Sequence, residues 1–244
     1  MKVPAFLAAE WRHLAMINYE IDPAILLPHV PRGTELDSWG GRTFVSLVGF
    51  RFLNTRIVGV PIPFHVNFEE INLRFYVRRK ADDGWRRGVV FVKEIVPRMA
   101  IALTARWLYN ENYVALPTAH SIQATPGPDG NIAWAQYSWT SRGQANSMRV
   151  VTRGPAVELA DGSEEEFIAQ HYWGYAKQRD GGSVEYSVEH PPWRRIWQCE
   201  SAGFDGDAEQ LYGAEFAETL RGKPSSAFLA EGSAVLVHKG RRIA

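Results

Sequence analysis

The sequence predicts an α+β domain: an antiparallel β-barrel or sandwich of many short strands with a few peripheral helices. Three observations predict it. Apolar and polar residues alternate in short segments, clusters of Gly, Pro, Asp and Asn separate those segments, and only a few stretches carry helical spacing. Nine Trp, nine Tyr and twelve Phe add the bulk that fills strand-rich cores and lines ligand cavities. No repeat, low-complexity tract or composition shift divides the chain, so residues 1–244 are expected to form a single domain.

Asp22-Pro23 opens a short helix by N-cap and N1 chemistry, closed by Pro28, Pro31 and Gly33. Residues 43–53 are apolar on both faces and read as a buried strand. Gly59 to His65 carries two prolines and reads as a loop. It leads to the strand 68–78, where Ile71, Leu73, Phe75 and Val77 alternate with Glu70, Asn72, Arg74 and Tyr76. Asp82-Asp83-Gly84 turns the chain into a partner strand, 88–96. Pro97 stops it, and residues 98–110 place Met99, Ala102, Leu103 and Arg106 at helical spacing. Beyond a turn at Pro126 to Gly130, residues 132–141 and 147–153 suggest an antiparallel pair. Ser163 and Glu166 form a capping box for a helix ending near His171. A hairpin follows, 171–177 and 184–190, around Asp180-Gly181-Gly182. A strand from Arg195 to Ser201, an amphipathic helix from Asp207 to Leu220, and two closing strands, 227–230 and 234–238, around Glu231-Gly232-Ser233 complete the chain.

Composition excludes several function classes. The 27 basic and 27 acidic side chains cancel, which argues against nucleic acid or an anionic membrane as partner. Cys199 is the single cysteine, so neither an intramolecular disulfide nor a cysteine-rich metal site can form, as suits a reducing cytoplasm. The apolar run from Met1 to Trp11 is too short for a secretory signal and no segment reaches transmembrane length, so a soluble, cytoplasmic protein is expected. Glycine-rich phosphate loops, His-Glu-x-x-His and Gly-x-Ser-x-Gly are absent from the sequence. No cofactor is expected. The histidines do not stand at standard ligand spacings; His171, His190 and Glu70 are the set a metal would use, but nothing in the spacing asks for one.

The candidate site starts from the polar row of the strand 68–78. A carboxylate, an amide, a guanidinium and a phenol in one line can fix an oriented polar ligand, and can equally face water or pair among themselves. Lys93 shares the alternation of Val89, Phe91 and Ile95, and is either a rim lysine or a desolvated amine nucleophile. Arg106 is a surface arginine or a second anion anchor. In the later hairpin, alternation groups His171, Trp173, Tyr175 and Lys177 on one strand and Val184, Tyr186, Val188 and His190 on the other. Inward-pointing faces would bring two imidazoles and two phenols into one cavity.

Several stretches occur together in a familiar order: Trp11 with Asn18-Tyr19, Asp22-Pro23, Leu27-Pro28, Pro31-x-Gly33, Glu70-x-Asn72-x-Arg74-x-Tyr76-Val77, Gly88 to Phe91, Ala105-Arg106, Tyr113, and Tyr186 through His190 to Trp193. They resemble the uncharacterised YqjF-like family, a domain of unknown function grouped with the acetoacetate decarboxylase-like fold. The resemblance covers almost the whole chain and implies a curved barrel around a cavity with helices outside. In the decarboxylases a Schiff-base lysine beside another lysine carries the chemistry. The comparable stretch here, Trp107 to Tyr113, contains no lysine, so that mechanism is not implied. Glu70 alone matches an acidic cavity residue of those enzymes, by its place ahead of a similar strand.

The expected function is therefore binding, or transformation, of a small anionic molecule, a carboxylate or keto acid. Arg74 would clamp it, Asn72 and Tyr76 would orient it, and Glu70 or a histidine would move protons. A non-catalytic binding protein and a structural or interaction protein, self-association included, are the alternative readings.

Overall fold

The computed structural model describes residues 5–98, 112–125 and 129–244. Among them the strands are β1 (Leu7–Glu20), β2 (Glu35–Leu36), β3 (Phe44–Ile57), β4 (Val60–Pro61), β5 (Phe68–Ala81), β6 (Gly84–Val96), β7 (Tyr113–Ala115) and β8 (Thr118–Ala124). They continue with β9 (Ile132–Ser141), β10 (Gln144–Thr152), β11 (Val157–Glu158), β12 (Trp173–Lys177), β13 (Ser183–Glu189), β14 (Arg195–Asp205), β15 (Ser226–Val237) and β16 (Arg241–Arg242). Four short α-helices accompany them, α1 (Pro23–Leu26), α2 (Glu164–Ala169), α3 (Ala208–Tyr212) and α4 (Ala214–Arg221), with one 3-10 helix, Leu27–His29. None of the described helices is long and apolar enough to cross a membrane.

Hydrogen bonding joins β13, β12, β6, β5, β3, β1 and β15 in that order. A short pairing of Val188 with Val237 and Glu189 with Leu236 brings β15 back to β13. The result is a strongly curved sheet rather than a strict barrel, because the closing seam is only two residue pairs long. It is also mixed, where alternation alone suggested antiparallel pairing throughout: β12 and β7 both run parallel to β6. β12 returns to β6 only after the chain has built β7 to β11, and such a long excursion allows parallel pairing.

Past β15 the sheet continues through β14, β10, β9 and β8. This wing packs on the convex side of the curved sheet, where Tyr137, Trp139 and Met148 share a core with Ile71, Leu73 and Phe75 of β5. The concave side holds a second core of Leu14, Met16, Phe50, Phe52 and Phe228, into which α2 inserts Phe167 and Ile168. Ser163 caps α2 by accepting from the Glu166 amide at 3.1 Å, as the Ser-x-x-Glu pattern predicts.

β1 escapes the alternation because a bulge at Arg12 to Ala15, with His13 at φ 56°, shifts its period. The two predicted closing strands are one, β15. Gly232 sits inside it at φ 83°, paired with Arg12, and a Cβ there would collide with the Trp11 carbonyl oxygen. The predicted helix 207–220 is split at Gly213, φ 98°, into α3 and α4. The Gly59 to His65 loop pairs with β3 only through the two residues of β4. The helix expected over 98–110, with Arg106, and the Pro126 to Pro128 part of the predicted turn lie outside the described residues.

One ion cluster ties β5, β6, β13 and β16. The fully buried Glu185 accepts from Arg86 at 2.7 Å, Arg241 at 2.8 Å, Arg79 at 3.2 Å and the Tyr175 hydroxyl at 3.2 Å. Glu185→Gln leaves three guanidiniums around a neutral amide. Breaking a buried pair of this kind costs on the order of 3 kcal/mol, so thermal unfolding is expected to begin roughly 10 °C lower. An unchanged midpoint would show that the cluster contributes nothing to stability.

Candidate functional site

Both faces of β5 are covered, so its polar residues turn toward the concave core and not toward water. Glu70, Asn72 and Arg74 are all buried there and line one pocket of about 410 Å³. Asn72 donates to Glu70 at 2.9 Å, and the Tyr113 hydroxyl donates to the other Glu70 oxygen at 3.4 Å. Arg74 donates through Nη2 to the Ile168 carbonyl at 3.1 Å. Arg74 Nε and Asn72 Oδ1 are buried without a hydrogen-bond partner among the described residues. Among those residues Arg74 forms no ion pair either; Glu70 feels its charge without bonding to it.

β6 supplies the facing wall, and a bulge decides its chemistry. Pairing runs Asn72 with Glu94 and Leu73 with Lys93, then jumps to Arg74 with Phe91, leaving Val92 as the extra residue. Phe91 and Glu94 therefore both face the pocket. Lys93, expected to share a face with Val89 and Phe91, is turned to the convex side, where its ammonium donates to the Leu211 carbonyl of α3. Burial, with Arg142 adding, lowers the Lys93 pKa there. Glu94 is the acid that alternation missed; the available signal was a lone carboxylate in the apolar run Val89 to Val96.

The rest of the pocket is aromatic and aliphatic. Trp11 packs edge-on against Phe50, Phe52 and Trp193 with ring centroids 5.3, 5.8 and 6.2 Å apart, and Phe52 stacks on Phe68 at 4.6 Å. Val188 and Tyr186 of β13 and Gly174 of β12 close another side. Gly174 pairs with Tyr186, whose ring occupies the space a Cβ would need. That register separates the two phenols alternation had grouped: Tyr186 faces the pocket, while Tyr175 pairs with Glu185 on the other side. Antiparallel partners share a face, so the five residues Gln178 to Gly182 between the strands set which tyrosine points in.

His171 lines the pocket beside Arg74 and is stacked on the Tyr76 ring at 4.7 Å. Burial first, then Arg87 and Arg74, hold it well below its ordinary pKa, so it is neutral at pH 7. Tyr76 stands behind it, donating to Ser46 at 2.6 Å, and is not itself in the lining. His190 also lies outside the lining, sandwiched between Tyr172 at 4.7 Å and Trp193 at 4.5 Å, with burial lowering its pKa. His171, His190 and Glu70 are thus not brought together. Among the described residues no group of three or more His, Cys, Asp or Glu could hold a metal ion.

Burial raises the Glu70 pKa to about 7 against the weaker opposing effects of Asn72, Tyr113 and Arg74. The pocket thus combines a carboxyl that exchanges its proton near neutrality, a guanidinium lacking a carboxylate partner among the described residues, a neutral imidazole and a wide apolar wall.

Comparison with known proteins places the chain in a family and a fold. The sequence profile of DUF2071, described as an uncharacterized conserved protein (COG2071), matches residues 8–234. The uncharacterized protein YqjF of Bacillus subtilis (strain 168) is 35% identical over 75 residues, covering 30% of this chain and 31% of that protein. The resemblance to the YqjF-like family is thereby borne out. The enduracididine biosynthesis enzyme MppR, complexed with pyruvate, superposes with a TM-score of 0.68 at 13% identity, over 100% of this chain and 92% of that one. An acetoacetate decarboxylase from Legionella pneumophila gives 0.66 at 12% identity, over 98% and 87%. At such identities the likeness is one of fold: acetoacetate decarboxylase-like.

The Glu70 carboxyl generates a test. Its folded pKa lies above its ordinary 4.5, so its contribution to stability is full below about 4.5 and is lost as pH rises through about 7. Glu70→Gln removes that dependence. Between about pH 5 and pH 8 the variant is expected to gain on the order of 2 kcal/mol relative to the parent, read from denaturant titrations. Parallel pH curves would show an ordinary surface-like carboxylate.

Proposed function

We propose that this chain, which belongs to the DUF2071 family, binds a small carboxylate or keto acid in the pocket between β5 and β6. The buried guanidinium of Arg74 carries the reading: it has no carboxylate partner among the described residues, and its Nε is unpartnered. A buried cation is stable when an anion offsets its desolvation, and a carboxylate in the pocket would do so with the short, strong hydrogen bonds of charged partners. Asn72 Oδ1 would accept a hydroxyl or amide proton of the ligand and so fix its orientation. Tyr76 acts one layer back, by holding the His171 ring.

A second reading, transformation of the acid, is favoured by Glu70. A carboxyl with a pKa of about 7 gives and takes protons at neutral pH with little driving force wasted. The neutral His171, which lines the same pocket next to Arg74, would accept a proton or donate one to a carbonyl oxygen. Amine chemistry has no support: no described lining residue is a lysine, and Lys93 is held on the convex side. The shared fold with an enzyme complexed with pyruvate is consistent with a carboxylate-binding fold.

The test is a thermal-shift panel of carboxylates, keto acids and uncharged controls on the parent protein and on Arg74→Met. An acid present at about a hundred times its Kd adds about 2.7 kcal/mol, a shift of roughly 5 to 10 °C for a chain of this size. That shift is expected with acids and is expected to vanish in Arg74→Met. Retention of the full shift in the variant, or no shift with any acid, would overturn the proposal.

A further inference from the structure

We infer that the acid held at Arg74 carries a sizeable apolar body, aliphatic or aromatic, that reaches the wall of Trp11, Phe52 and Phe68. A three-carbon keto acid would leave most of the chamber unfilled. The inference rests on the binding reading above and adds the shape of the ligand to it.

The gradient is written in the pairing of β3 with β5. Ser46 opposes Arg74, Val48 opposes Asn72, Phe50 opposes Glu70 and Phe52 opposes Phe68. Moving along the pair, the walls change from polar to wholly aromatic. Alternate residues of a strand lie about 7 Å apart, so the six steps from Arg74 to Phe68 span about 20 Å. A three-carbon acid anchored at Arg74 is shorter than one such step and ends among the polar groups. Beyond Glu70 the wall is mostly apolar, built from Trp11, Phe50, Phe52 and Phe68 with Thr55 and His65 as its polar members, and apolar surface binds apolar ligands.

The pocket edge has the same character. Ile62 lines the pocket while 38% exposed, on the β3–β5 connection that also presents Val58, Val60 and an 83% exposed Phe64. Four apolar side chains grouped on one surface loop exceed the scatter of single exposed hydrophobics. Ile62 joins this exposed apolar group to the chamber lining.

The experiment measures Kd for straight-chain acids from acetate to decanoate and for phenylpropanoate, each with its primary amide, on the parent protein, Arg74→Met and Leu7→Trp. Leu7 lines the chamber and is partly exposed, so tryptophan there shortens it without a buried cavity. Kd is expected to fall about fourfold with each added methylene, the equivalent of 0.8 kcal/mol, and then level off when the chamber is full. Leu7→Trp is expected to move that plateau to shorter chains. Equal affinity for acetate, butanoate and octanoate would overturn the inference and leave the carboxylate reading standing. Amides that bind as tightly as their acids, with the same chain-length dependence, would keep the apolar body and overturn the Arg74 clamp. No binding at any length would overturn both.

Discussion

Because the wing strands β9 and β10 pack against the convex side of β5 and α2 fills part of the concave side, the polar row of β5 has no water to face. Burying an amide, a carboxyl and a guanidinium is costly unless each finds a partner, and that constraint organises much of the concave core. Arg74 takes the Ile168 carbonyl at the end of α2. Tyr76 donates to Ser46, Ser46 to Asn18 at 2.7 Å, Asn18 to Ser226 at 2.9 Å, and Ser226 to Glu164 at 2.5 Å. Glu164 is the first residue of α2 and pairs with Arg42 at 2.8 Å. One hydrogen-bonded line thus runs from Tyr76, behind the pocket, through β3, β1 and β15 to the helix whose other end meets Arg74. The helix is held at both ends by the strand it covers.

The bulge in β6 then decides what kind of chemistry the pocket offers. With regular pairing through Val92, either Lys93 would face in with Phe91 and Glu94 would face out, or the whole strand would be turned over. One extra residue lets Phe91 and Glu94 both face in and sends the amine to α3. Among the described residues the pocket becomes a site of carboxyls and one guanidinium. The elevated Glu70 pKa follows from the same enclosure, since the apolar surroundings that exclude water from the row favour the neutral acid.

Much of this was legible in the sequence, for reasons tied to period. The central strand, the hairpins β5–β6, β9–β10 and β12–β13, and the capped α2 each carry a local signal: alternation, a turn dipeptide or a cap. The polar row of β5 was legible as a row, and Glu70, Asn72 and Arg74 stand in one pocket as a single alternating strand requires. What was not legible lies in parity. The β1 bulge and the β6 bulge insert one residue without Gly or Pro to mark it, and each reverses which face the following residues occupy. The inward choice between Tyr175 and Tyr186 depends on hairpin register, which sequence constrains only through the turn. Family resemblance pointed to the fold because fold survives where site residues differ.

That difference bears on how the pocket should be understood. Structures sharing this fold at 12 to 13% identity include an acetoacetate decarboxylase and an enzyme complexed with pyruvate, and at that distance their reactions do not transfer. What is shared is the fold; in this chain it leaves a chamber on the concave side of the curved sheet, bounded by a central strand whose alternate residues are buried. The occupant's chemistry is then set locally. Here the described strands present a cation without a carboxylate partner among the described residues, a carboxyl poised near neutrality and an aromatic wall some 20 Å along the same strand pair. In a low-dielectric enclosure the cation governs which end of a ligand enters that region, because charge interactions there are far stronger than in water. The wall governs how long the ligand is, because the return for burying apolar surface grows with each carbon until the space is filled.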